Sequence, residues 1–226
     1  MHAASKHTVE YAPNRHADVY GAPSDPPLLL WHGTQTDSRA AVRTLAEELQ
    51  QRGFGVLAPD WNSHATDRGR SDLLASVDHV RAWSDDPDRL TLVGWSLGGA
   101  AAAGLTLRAE LVGVVLARTV CLAGAFMVPD PVSGARPADL VAGVRPGAPF
   151  VLLHGRADDV VPVSAAHAFA GTLTSADWPV RVTELDADHG SIAGARYVAD
   201  ADRYEAADDA GTRRVAAQVA ELIAGQ

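Results

Sequence analysis

One cysteine, Cys121, stands in the 226-residue chain, so no intrachain disulfide can form and no cysteine-built zinc site is available. So few thiols suit a reducing compartment, and a cytoplasmic location is expected. Basic residues are also short: 19 Lys and Arg stand against 28 Asp and Glu, a net charge of −9. That sign argues against nucleic acid or an anionic membrane as partner, since both select basic surfaces. Apolar runs of membrane-spanning length are missing. Residues 1–10 include Lys6 and several polar side chains but no apolar stretch, so no secretory leader is expected. No His or Cys pair has the short spacing of a zinc site, and no Lys follows the glycine-rich segment as it would in a phosphate-binding loop. Neither a metal nor another cofactor is therefore expected. Internal repeats, low-complexity tracts and linkers are lacking as well, and one domain over residues 1–226 is the expectation.

What the chain does have is apolar content, 47% of its residues, enough for a substantial core. It also has one conspicuous stretch, Gly94-Trp95-Ser96-Leu97-Gly98-Gly99. Leu90-Thr91-Leu92-Val93 before it reads as a strand, and Ala100 to Leu105 after it as a buried helix. Strand, G-x-S-x-G, helix is the setting of a nucleophile elbow, in which a serine sits on a sharp turn that only small neighbours permit. The turn leaves the Ser96 hydroxyl at a helix N-terminus, where backbone N–H groups without internal partners can face a developing negative charge.

Together with Trp31-His32-Gly33 before it, and His154-Gly155-Arg156-Ala157-Asp158 and His189-Gly190 after it, this stretch resembles an α/β-hydrolase of the small serine esterase or dienelactone-hydrolase-like kind. The resemblance runs from about Leu28 to the C-terminal helix. It implies a doubly wound, mostly parallel sheet of about seven or eight strands. The pattern of the chain agrees. Thr8 to Tyr20, with a turn at Pro13-Asn14, suits an edge hairpin; Leu28–Trp31, Gly55–Ala58, Leu90–Val93, Leu111–Ala117, Pro149–Leu153 and Val180–Leu185 read as strands. Helical spacing marks Val42 to Leu49, Leu73 to Arg81, Ser164 to Leu173 and Thr212 to Ile223. The proline- and glycine-rich segment 119–147 lies where this superfamily inserts a cap, and it has room for one short helix at Ala138 to Val144, so a minimal cap or none is expected.

A serine hydroxyl needs a base, and the base an orienting carboxylate. The hydrolase chain order of Ser, acid, His selects Ser96, Asp158 and His189. Asp158 follows a strand end, and it has the family's spacing, four residues after the histidine of His154-Gly155 and four before Pro162; Asp159 does not, and Asp130 is a minor alternative. Of the nine histidines, His189 alone follows the last strand in the required order, while His32 and His154 suit structural hydrogen bonds near the site. The Leu97 N–H is expected as one oxyanion donor, and the family's phrase at His32-Gly33-Thr34 implies Thr34 as the other, with Gln35 a close alternative. Trp61 and Trp95 could wall a small acyl pocket with Asn62 at its rim; the alternative is that both indoles pack in the core. The expected activity is cleavage of small-molecule carboxylic esters with small to medium acyl groups, through a Ser-His-Asp triad and an acyl-enzyme. A thioesterase, a peptidase or a non-catalytic binding protein on the same scaffold are the alternatives, and oligomeric state is left open.

Overall fold

Apolar runs of four or five residues are too short for helices and too continuous for strands with one wet face. They form strands covered on both sides. In the structure, a computed structural model that describes residues 6–225, they build one sheet. Its strands are β1 (Lys6–Ala12), β2 (Arg15–Tyr20), β3 (Pro27–Trp31), β4 (Gly55–Pro59), β5 (Thr91–Trp95), β6 (Arg118–Leu122), β7 (Phe150–Gly155) and β8 (Val180–Leu185). The order across the sheet is β1-β2-β4-β3-β5-β6-β7-β8. The β1–β2 hairpin runs antiparallel to its neighbour β4, and every other pairing is parallel.

Alternation along each strand sends side chains to two apolar layers. Leu28 and Leu30 of β3 pack with Val56, Val93, Val120 and Val151 beneath helices α1 (Arg43–Gln51) and α7 (Ala210–Ala224). Leu29 and Trp31 face the other way, with Leu57 and Leu92, against α2 (Arg70–Trp83) and α3 (Leu97–Leu107). On that same face, α6 (Ser164–Ser175) closes the β7 end around Phe126, Phe150 and Phe169. Every residue of α3 is buried, and its run of Ala and Gly lets its axis lie close to the strands. At the start of α7, the Asp209 carboxylate accepts the Thr212 N–H at 3.0 Å, an N-cap that satisfies a backbone donor the helix cannot.

The strand expected over Leu111–Ala117 lies elsewhere. Ala109–Val112 forms a short helix, α4, Gly113 turns the chain at φ 71°, and the strand is Arg118–Leu122. Of the apolar residues that suggested it, Leu111 is 81% and Val115 54% exposed, while Val114 and Leu116 are buried against the sheet. Strand β6 is built instead from Thr119, Val120, Cys121 and Leu122, all buried. Segment 119–147 thus begins inside the sheet and adds only the four-residue helix α5 (Pro137–Leu140). Arg68 and Arg70 grip the carbonyls of Pro129 and Val132, at 2.7 and 2.9 Å, and hold it down on the scaffold. A second antiparallel pair, β9 (Ala195–Val198) and β10 (Arg203–Ala206), stands apart from the main sheet and had no counterpart in the sequence reading. Among the described residues no helix is long and apolar enough to cross a membrane.

Gly171 lies within exposed α6, and a Cβ added there meets nothing within 4 Å. Gly171→Ala removes unfolded-state entropy at no steric cost, and is expected to raise stability by about 0.5–1 kcal/mol, read as a gain of roughly two degrees in melting temperature.

Candidate active site

Between the last residue of β5 and the first of α3 stands Ser96 alone, with φ 56° and ψ −118°. A side chain held at positive φ costs about 1–3 kcal/mol and needs surroundings that over-determine it. Here the Ser96 N–H donates to the Leu122 carbonyl at 2.9 Å, and the Ser96 carbonyl accepts from Gly99, Ala100 and Ala125 at 3.0, 3.1 and 3.0 Å. The flanking glycines are steric necessities. A Cβ on Gly94 would lie 2.1 Å from the Gly98 carbonyl oxygen, and one on Gly98 2.3 Å from that of His32.

The turn aims Ser96 at the loop after β8. His189 Nε2 is 3.1 Å from Ser96 Oγ, and His189 Nδ1 is 2.8 Å from Asp158 Oδ2. Ser96 is 8% and His189 3% exposed, so the pair is nearly shut off from bulk water. The Asp158 carboxylate is wholly buried, its Oδ1 accepting the N–H groups of Val160 and Val161 at 2.9 and 2.8 Å. His154 supports it from the other side: its Nε2 is 2.8 Å from the Val161 carbonyl and 3.4 Å from Asp158 Oδ2. Burial alone would push the Asp158 pKa up. Hydrogen bonds from His154, His189 and the Val161 N–H outweigh it and hold the acid well below the usual carboxylate range. The neighbouring Asp159 is exposed. Asp130 is buried and bonded to its own loop, accepting the Val132 and Ser133 N–H groups at 2.8 and 2.7 Å. Asp188 likewise stays local: its Oδ1 accepts the Gly190 and Ser191 N–H groups at 2.9 and 2.7 Å and shapes the turn that carries His189.

The loop after β3 passes beside the nucleophile, since a Cβ on Gly33 would lie 3.1 Å from Ser96 Cβ. His32 anchors this loop from inside. Its Nδ1–H donates to the Gly33 carbonyl at 2.9 Å, and its Nε2 accepts the backbone N–H of Ser38 at 3.2 Å and of Trp61 at 3.3 Å. That pattern needs a neutral ring, and burial pushes its pKa down to about 3. Of the two expected second donors, the Gln35 N–H is committed to the Gly33 carbonyl at 2.8 Å, and Thr34 is exposed. Leu97 is the first residue of α3, ahead of the first intrahelical bond, so its N–H has no acceptor within the helix.

The expected apolar wall is not there. Trp61 is 0% and Trp95 1% exposed; both are core side chains. Trp61 stacks on His32 with ring centroids 5.2 Å apart, and the Trp95 indole donates to the His189 carbonyl at 2.8 Å. The turn at Gly69 covers Trp61, since a Cβ added there would lie 2.5 Å from its ring, and His189 and Tyr204 pack against Trp95. Asn62 is half-buried, and its Oδ1 accepts from the Thr36 hydroxyl and the His64 N–H, each at 2.9 Å, linking two loops. The residue missed in the sequence is Tyr204 of β10. Its ring packs edge-on against Trp95 at 5.0 Å and lies 5.8 Å from His189. Gln35 Oε1 accepts the Tyr204 N–H at 2.8 Å. The hairpin therefore ties the loop after β3 to the loop that carries His189. The sparse alternation of residues 195–206 carried no strand signal that could have shown this.

The profile of the alpha/beta hydrolase family matches residues 28–225. The chain belongs to the alpha/beta hydrolase family. Solved structures share its fold. Esterase 2 of Thermogutta terrifontis, phosphorylated by paraoxon, superposes with TM-score 0.73 at 17% identity, covering 97% of this chain and 94% of that one. Its propionate-bound form gives 0.72 at 18%, over 97% and 92%. An inhibited esterase B from Lactobacillus rhamnosis gives 0.71 at 15%, over 85% and 81%. No curated protein sequence matches this hydrolase significantly.

The neutral His32 makes stability of the hydrolase pH-dependent. The unfolded chain takes up a proton here as pH falls through the ordinary 6.5, the native state only near 3. Its contribution is complete above pH 6.5 and is lost as pH falls towards 3. His32→Gln keeps an acceptor for the Ser38 and Trp61 N–H groups and removes the titration. Between neutral pH and pH about 5, urea unfolding should show the native protein losing about 2 kcal/mol more than this variant.

Proposed function

We propose that this hydrolase is a serine esterase, cleaving carboxylic esters of small to medium acyl groups. The observation that carries the proposal is the unbroken relay from Asp158 through His189 to Ser96 Oγ, at 2.8 and 3.1 Å. His189 Nε2 takes the hydroxyl proton as Ser96 Oγ attacks the ester carbonyl. Asp158 keeps the Nδ1–H of His189 pointing at itself and stabilises the imidazolium that forms; its depressed pKa keeps it ionised while it does so. The N–H groups of Leu97 and Thr34 receive the tetrahedral oxyanion. His189 then returns the proton to the leaving alkoxide, and the alcohol departs. Water, deprotonated by the same imidazole, releases the acid from the acyl-enzyme and restores the serine.

Support for modest acyl size comes from two sides. Segment 119–147 gives one strand and one short helix and is pinned to the scaffold by Arg68 and Arg70, which suits a site without a mobile cap. Structures of similar fold were also solved with propionate and with butyrate bound.

A fluorophosphonate probe should label the protein once, at Ser96, and Ser96→Ala should abolish both labelling and p-nitrophenyl butyrate hydrolysis while keeping the native melting temperature. Asp158→Asn should lower kcat by roughly 10⁴-fold, because the amide favours the wrong tautomer of His189; Asp159→Asn should change it little. Equal losses in the two variants would remove Asp158 as the orienting acid. Across p-nitrophenyl esters, kcat/KM should fall from butyryl to palmitoyl, with no jump in rate at the critical micelle concentration. Thioester and peptide amide substrates run alongside decide between ester and the other acyl-transfer chemistries.

A further inference from the structure

A cavity of about 680 Å³ opens at the end of the sheet opposite Ser96, where the parallel strands begin. Among the described residues four arginines line it, Arg52, Arg89, Arg118 and Arg181, and no Asp or Glu does. They come from separate places in the chain. Arg52 follows α1, Arg89 precedes β5, Arg118 opens β6 and Arg181 lies in β8. In a chain of net charge −9, such a grouping of cations runs against the overall balance.

Compensation of these charges by the protein is partial. Arg52 is held by Glu48, donating to its carboxylate and its carbonyl at 2.8 Å, and by the Ala217 carbonyl at 2.9 Å. Arg89 reaches Asp86 only at 4.0 Å, and both are exposed. Arg181 is exposed and makes no ion pair among the described residues. Arg118 is half-buried and engaged within the protein, so the charge left over is that of Arg89 and Arg181. Like charges gathered in a concave site raise one another's energy, and a bound anion removes that cost. The guanidinium fork matches the planar oxygens of carboxylate and phosphate. Apolar walls adjoin the charges, among them Phe54 and Pro149, and the volume falls in the range of small-ligand sites.

We propose that this cavity binds a small organic polyanion, a molecule bearing two or more phosphate or carboxylate groups, at a site separate from the catalytic one. The cavity and the elbow lie at opposite ends of the same strands, so occupancy does not block access to Ser96. The proposal stands independently of the esterase reading.

Isothermal titration of the full chain with pyrophosphate, citrate and ATP tests it. Pyrophosphate and citrate separate phosphate from carboxylate recognition, and ATP adds an aromatic body for the apolar walls. Saturable binding of at least one of them is expected, weakening as salt is raised. Arg89→Gln with Arg181→Gln removes two exposed guanidiniums and should weaken it by at least tenfold, as expected for charge-assisted hydrogen bonds. Circular dichroism and the ligand-free melting temperature establish that the double variant is folded. Arg196→Gln, on β9 outside the cavity, should bind as the native chain does. Absence of saturable binding for all of these ligands at millimolar concentration overturns the proposal. So does binding that survives the double substitution unchanged, or that falls equally in Arg196→Gln.

Discussion

The whole site hangs on a turn with no spare volume. Strand β5 and helix α3 are joined through a single residue, and the backbones around that residue approach so closely that Gly94 and Gly98 cannot carry a Cβ. Ser96 is left at positive φ, a conformation that four backbone hydrogen bonds impose on it. The strain is thereby turned into position. The hydroxyl is lifted clear of the strand, the first N–H of α3 lies beside it, and the loop carrying Gly33 is drawn against it by the same contacts. Loosening any of them lets the turn relax toward an ordinary backbone conformation, and the three groups separate.

Around that turn, three buried histidines do different work because their neighbours differ. His32 is surrounded by backbone groups, two of them donors to one ring nitrogen, and stays neutral as a strut. His154 stands between the Val161 carbonyl and Asp158 and helps hold the acid in place. His189 alone meets both a carboxylate and a hydroxyl, one at each ring nitrogen. The β9–β10 hairpin adds the remaining connection. Through Gln35 and the ring of Tyr204 it joins the loop after β3 to the turn bearing His189, two segments with no contact along the chain. A parallel sheet has two unlike ends: here Ser96, Asp158 and His189 gather where the strands finish, and the arginines where they begin.

Much of this was legible in the residues themselves. The elbow is a local steric pattern, and G-x-S-x-G between an apolar run and an Ala-rich helix declares it without reference to the rest of the chain. The continuous apolar runs at β3, β4, β5 and β7 declared a sheet buried on both faces. Asp158 and His189 could be picked out because each follows a strand end and the chain order is ordered by the fold. Where local pattern was weak, the reading failed. In Leu111 to Ala117 only Val114 and Leu116 are buried, and nothing in seven such residues distinguishes a strand from a helical turn and loop that keep alternate side chains in the core.

Tertiary structure alone decided the rest, because those features depend on what lies across space. That Trp61 and Trp95 are buried follows from what packs on them, Gly69 and His32 on the one, His189 and Tyr204 on the other. That the Gln35 N–H is spent on the Gly33 carbonyl is a bond no spacing announces. The role of Tyr204 arises from a hairpin that closes over the site from a distant stretch of sequence. The four arginines share a cavity only because the sheet order sets β5, β6 and β8 side by side with the end of α1. The sequence by itself determined the elbow, the triad candidates and the layered sheet, since each is written in short-range sterics and periodicity; the support of the site and the charge at its far end were settled by packing.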